Sequence, residues 1–123
     1  MILKMDNKSK DFYNIMGKFF GSRIVENKTN DRIYDDNNKE WYVYVDNGSP
    51  VAFISIVSGV IKNVYSIKDD FLIELLTHIS KETKIKDSIV TNAYSDVYSA
   101  CGFVSTDNNG YKNFIRIRSD INE

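Results

Sequence analysis

The chain has 123 residues, 42% of them hydrophobic, with 16 basic and 17 acidic side chains and a net charge of −1. That size and composition suit one globular domain, residues 1–123, and argue against a disordered chain. The near-neutral balance gives no general drive toward nucleic acid or an anionic membrane. A single cysteine, Cys101, excludes an internal disulfide, and with one histidine it leaves no zinc site of the usual Cys/His kind.

In chain order, Ile2 to Met5 reads as a short first strand. Its N-terminal stretch MILKMDNKSK carries no signal-peptide core, and no apolar segment approaches the roughly 18 residues that span a bilayer. These features and the lone cysteine place the protein in the cytoplasm. Ser9 is the expected N-cap of a helical segment in which Phe12, Ile15, Met16, Phe19 and Phe20 recur at helical spacing. Gly17 or Gly21 is expected to divide that segment into two short helices. Asn27 to Lys39 is polar and reads as a loop, with the acidic run from Asp31 to Glu40 a solvated surface.

Trp41 to Val45 (WYVYV) is rich in strand-forming residues, with Tyr42 and Tyr44 on the face opposite Trp41. Asp46-Asn47-Gly48-Ser49-Pro50 predicts a hairpin into Val51 to Val57. Ser58-Gly59 predicts a second turn into Val60 to Ile67. A helix follows to about Lys81, capped by Asp69 or Asp70, with Phe71, Leu72, Leu75, Leu76 and Ile79 on its apolar face. Asp87 to Thr91 reads as a buried strand and Ala93 to Cys101 as a short helix ending at Gly102. Phe103 to Ser105 and Tyr111 to Ile117 complete the chain as two strands joined by Asp107-Asn108-Asn109-Gly110. The fold class is α/β (α+β), in the order β-α-α-β-β-β-α-β-α-β-β around a mostly antiparallel sheet.

That order, covering nearly the whole chain, resembles the GNAT superfamily of acetyl-coenzyme A-dependent N-acetyltransferases. Asn92-Ala-Tyr-Ser-Asp-Val-Tyr98-Ser-Ala-Cys-Gly102-Phe103 is similar to the family's late segment, an Asn followed by a short helix ending Tyr-x-x-x-Gly-Phe. Met16-Gly-Lys-Phe-Phe-Gly-Ser-Arg23 followed by Lys39-Glu-Trp41 is similar to small phage and bacterial members. The abundance of Asn, Lys, Asp and Ile fits an AT-rich bacterial or phage genome. The resemblance implies Tyr98 as the general acid toward the leaving thiolate. It implies Val64, Tyr65, Ile67, Lys68 and Asn92 as the residues that would meet acetyl-CoA.

The sequence departs from the family pattern where the cofactor's pyrophosphate is held. The family motif there is Arg/Gln-x-x-Gly-x-Gly/Ala, whose glycines let a helix N-terminus approach phosphate. Tyr65-Ser-Ile-Lys-Asp-Asp-Phe71 has no glycine, is several residues shorter, and carries two carboxylates that oppose phosphate. No Asp, Glu or His lies from Val51 through Ile67, where a base commonly sits. The expected protein therefore uses no cofactor and binds an unidentified protein or small molecule, with a homodimer through an exposed strand compatible with its size. The competing expectation is an active N-acetyltransferase that binds acetyl-CoA. A nucleic-acid role would need Lys4, Lys8, Lys10, Lys18 and Arg23, or Lys112, Arg116 and Arg118, to gather on one face. His78 and Cys101 read as ordinary boundary and buried residues.

Overall fold

The computed structural model describes residues 1–107 and 112–119. Its strands are β1 (Ile2–Met5), β2 (Glu40–Asp46), β3 (Ser49–Val57), β4 (Val60–Ser66), β5 (Ser88–Thr91), β6 (Phe103–Asp107) and β7 (Phe114–Ser119). Its helices are α1 (Phe12–Met16), α2 (Arg23–Thr29), α3 (Asp69–Glu82) and α4 (Ser95–Ala100), the last entered through a 3-10 turn at Asn92–Tyr94. This is the expected α+β order. The expected turn residues Asn108, Asn109 and Gly110, and the start of the last strand at Tyr111, lie outside the described residues.

The strands form two antiparallel sheets, β1-β2-β3-β4 and β5-β7-β6. In the first, Asn47 and Gly48 both have positive φ, 49° and 78°, and so do Ser58 and Gly59, at 50° and 83°. Two consecutive left-handed residues match the twist of tight hairpins, which is why these dipeptides close β2-β3 and β3-β4. A bulge opposite Ser55/Ile56 shifts the register of β4, pairing Ser55 with Asn63 and Ile56 with Ile61.

Alternation along the strands builds a core on each face of this sheet. Tyr42, Ala52, Ile54, Ile56, Ile61 and Val64 pack under Leu72, Leu75, Leu76 and Ile79 of α3, together with Val90, Tyr98 and Ile117. Trp41, Val43, Phe53 and Tyr65 pack on the other face against Phe12, Met16, Phe19, Val25 and Ile33. The expected opposition of Trp41 to Tyr42 and Tyr44 is thus the division between the two cores.

Local structure corrects several expectations. Asp11, not Ser9, precedes α1, and no side chain caps that helix; Ser9 instead closes a turn with Asp6. The second helix starts at Arg23, capped by Ser22, and runs through Asn27 to Thr29, so the polar loop begins only at Asn30. Lys68 occupies the N-cap of α3, with no side-chain cap; Asp69 and Asp70 stand inside its first turn. The 3-10 turn is capped by Thr91, whose hydroxyl accepts from the Ala93 N–H.

The loop from Asn30 to Lys39 is not simply solvated. Lys39 is 4% exposed, and its ammonium donates to the Asn63 side-chain oxygen (2.8 Å) and the Tyr34 carbonyl (3.1 Å). It also lies 4.0 Å from the Tyr34 ring centroid. Ser55 donates to the same Asn63 oxygen, and the Asn63 amide donates to Asp31. No helix among the described residues is long and apolar enough to cross a membrane.

Candidate functional site

Strands β4 and β5 run side by side in the same direction but share no ladder, and the two sheets meet at this seam. At its base the seam is pinned. Lys86 N–H donates to the Gly59 carbonyl (2.8 Å), and Ile61 N–H donates to the Ser88 hydroxyl (2.9 Å). Gly59 is needed there: a Cβ would lie 2.9 Å from the Lys84 carbonyl oxygen, on a backbone already at φ +83°.

At the other end, side chains take the place of peptide bonding. The Tyr94 hydroxyl accepts from the Ser66 N–H (2.9 Å) and donates to the Ser66 carbonyl (3.1 Å). The Lys28 ammonium donates to the same carbonyl (2.8 Å), with the Tyr94 and Tyr65 ring centroids 5.5 and 5.9 Å away. One residue on, Thr91 of β5 donates its hydroxyl to the Thr29 carbonyl (2.6 Å). The last turn of α2 therefore touches both strands. Burial pushes the Tyr94 hydroxyl up to about 12, opposed by its bond to the Ser66 backbone. It is a neutral hydrogen-bonding group at physiological pH.

Tyr98 belongs to the same core as Tyr94 and is fully buried, its hydroxyl without a hydrogen-bond partner among the described residues. Burial raises its pKa well above the usual tyrosine value, with Tyr94 adding to the rise. The phenol is therefore held in its protonated form. An unpartnered buried hydroxyl costs about 1–3 kcal/mol.

The other expected site residues are divided among several environments. Val64 is in the core under α3, and Tyr65 turns its ring into the opposite core against Phe19 and Phe53. Alternation aims the Val64 peptide toward β5, as at Ser66. Ile67 is 48% exposed, and its N–H turns away to the Val51 carbonyl. Lys68 is exposed at the start of α3; its N–H donates to the Ser66 hydroxyl, which in turn donates to the Lys68 carbonyl. Asn92 is exposed and bonds away from the seam, to Lys112 and Asn113.

The sequence reading missed Tyr94, Lys28, Thr29 and Ser66. Nothing in their spacing links residues 28, 66 and 94; only the topology brings them together. Of three surface cavities of about 460 to 520 Å³, one is lined by residues such as Phe103, one by residues such as Arg32, and the third borders the base of the seam at Gly59 and Lys86. His78, at the side of α3, stands 3.3 Å from Glu82, which also accepts from Tyr42. Cys101 is half-buried against the α3-side core, and burial raises its thiol pKa.

No protein-family model matches the chain, and no curated protein matches it. Solved structures do. An IAA acetyltransferase from Bacillus cereus ATCC 14579 superposes with a TM-score of 0.55 at 12% identity, over 95% of this chain and 96% of that one. A probable acetyltransferase from Staphylococcus epidermidis ATCC 12228 superposes with a TM-score of 0.57 at 12% identity, over 95% and 94%. The fold is that of the GNAT-type acetyltransferases.

Proposed function

We propose that this GNAT-fold chain is a binding or accessory protein that has lost the family's use of acetyl-CoA. The observation that carries the reading is the saturation of the Ser66 peptide by Tyr94 and Lys28. A cofactor arm running along β4 would have to break those bonds to pair with the same groups. The cofactor's diphosphate would meet a second obstacle. No glycine lies from Val60 to Phe71, and Asp69 and Asp70 occupy the first turn of α3, where a phosphate would be drawn. Two like charges at ~5 Å repel by about 1–3 kcal/mol between water-like and surface-like dielectrics. The residues present do not fit acetyl-CoA, so no chemical step is assigned to it. The asparagine- and lysine-rich composition supports an origin in a phage or mobile element.

A second reading, an active N-acetyltransferase, is favoured by two observations. Among the described residues the buried Tyr98 hydroxyl has no partner, and no side chain caps the start of α3, leaving its first N–H groups to other acceptors. Titration calorimetry with acetyl-CoA, alongside a CoA-release assay against simple amines, decides between them. The binding-protein reading expects no heat at millimolar cofactor. Micromolar binding with turnover that Tyr98→Phe abolishes would replace it with the enzyme.

A further inference from the structure

We propose that Tyr94 and the last turn of α2 form a latch that holds the seam between β4 and β5 shut. The inference rests on the closed-cleft reading above and supplies its physical device. Its basis is an asymmetry along the seam. The base is fixed by a peptide–peptide bond from Lys86 to Gly59 and by the buried Ser88 hydroxyl on Ile61. The top is held by side chains alone: Tyr94 and Lys28 on Ser66, and Thr91 on Thr29. A pinned base and a side-chain-held top make the geometry of a hinge and a catch.

The catch is built from separable parts. Rotation of one tyrosine frees the N–H of Ser66 and removes one of the two donors on its C=O, leaving Lys28 as the other. Withdrawal of α2's last turn removes the Lys28 and Thr29 contacts together, because the two residues are neighbours on one helix. Lys28 is itself exposed, so its ammonium can return to water without burial cost. The slot thus opened is lined by the Ser66 and Val64 peptides.

The test is amide hydrogen exchange at Ser66, read by NMR in the wild type, Tyr94→Phe and Lys28→Met. The phenylalanine keeps the ring and loses only the hydroxyl. A latch predicts that Ser66 exchange rises about tenfold in Tyr94→Phe, the equivalent of one lost hydrogen bond, and less in Lys28→Met, while Ile61 and Lys86 keep their protection. An unchanged Ser66 in both variants would overturn the latch. So would an equal rise at Ser66, Ile61 and Lys86, which would make Tyr94 a general support of the core. Acetyl-CoA titrated into the same three proteins tests the closed-cleft reading separately. Micromolar binding by the wild type would remove that reading, while the latch is judged on the Ser66 amide alone.

Discussion

The Lys39 ammonium lies 2.8 Å from the Asn63 side-chain oxygen, and the amide of that same asparagine lies 3.0 Å from Asp31. Asn63 is thus an uncharged bridge between a buried cation and a half-buried carboxylate, which make no direct ion pair among the described residues. Replacing Asn63 with Ala would leave Lys39, Ser55 and Asp31 each short of a partner. The expected loss is about 2–4 kcal/mol of unfolding free energy. Urea denaturation at neutral pH measures it, and a loss below ~1 kcal/mol would mean that water replaces the bridge.

The same network sets a pH dependence. Desolvation raises the Asp31 pKa above the ordinary 3.8, against the lowering effect of Asn63, Lys39 and the Arg32 backbone. The folded state therefore holds more protons than the unfolded state between 3.8 and the raised value, and stability contributed by this group increases as pH falls through that window. Asp31→Asn removes the term. The wild type is expected to gain on the variant as pH drops from neutral toward 3.8, in urea unfolding followed at several pH values. A gap that widens in the variant's favour on acidification would refute this.

Lys39 works in the opposite direction at alkaline pH. Desolvation is the largest influence on it and lowers its pKa below 10.5, despite Asp36, Asp31 and Asp35. Between the lowered value and 10.5 the unfolded state binds more protons, so this group favours folding increasingly as pH rises through that window. Lys39→Met should flatten that rise, which unfolding experiments from pH 7 to 10.5 would detect as a smaller slope.

The orphaned hydroxyl of Tyr98 gives a test of sign. Removing a buried group that has no partner among the described residues relieves its desolvation cost, so Tyr98→Phe is expected to leave stability unchanged or raise it by about 1 kcal/mol. A comparable loss in thermal unfolding would reveal a bonded hydroxyl, such as one held by an internal water.

Helix α3 starts without a side-chain cap. The Ser66 hydroxyl bonds Lys68 through its backbone, so exchanging the Lys68 side chain leaves that turn intact. Lys68→Ser should supply the missing cap and add about 0.5–1 kcal/mol, or a few degrees in melting temperature. At the base of the seam, Gly59→Ala should cost more than 1 kcal/mol by the same assay, since both φ and the Lys84 carbonyl oppose a Cβ.

The fold was legible because its signals are local. Asn47-Gly48 and Ser58-Gly59 specify tight turns by their tolerance of positive φ. Phe71 to Ile79 states a helix by its period, and WYVYV assigns its aromatic rings to two faces by alternation. Helix starts were less legible. Asp11, Ser22, Lys68 and Thr91 all stand where short-range rules admit several neighbouring residues, and one residue of shift moved Asp69 from cap to first turn. The loop before Trp41 was misjudged for another reason. A lysine in a polar run carries no mark of burial, and only the sheet supplied Ser55 and Asn63 beneath it.

The sequence by itself determined the order of elements, the two faces of the main sheet and the absence of glycine before α3, because each is a property of residues close in the chain. The tertiary structure alone decided what stands at the seam. Lys28, Ser66 and Tyr94 are separated by 38 and 28 residues, and their meeting depends on how α2 crosses the sheet and where β5 comes to rest. Hydrogen bonds between such residues leave no periodicity behind. Which groups of the strand are already taken, and which remain for a ligand, is settled only once the chain has packed.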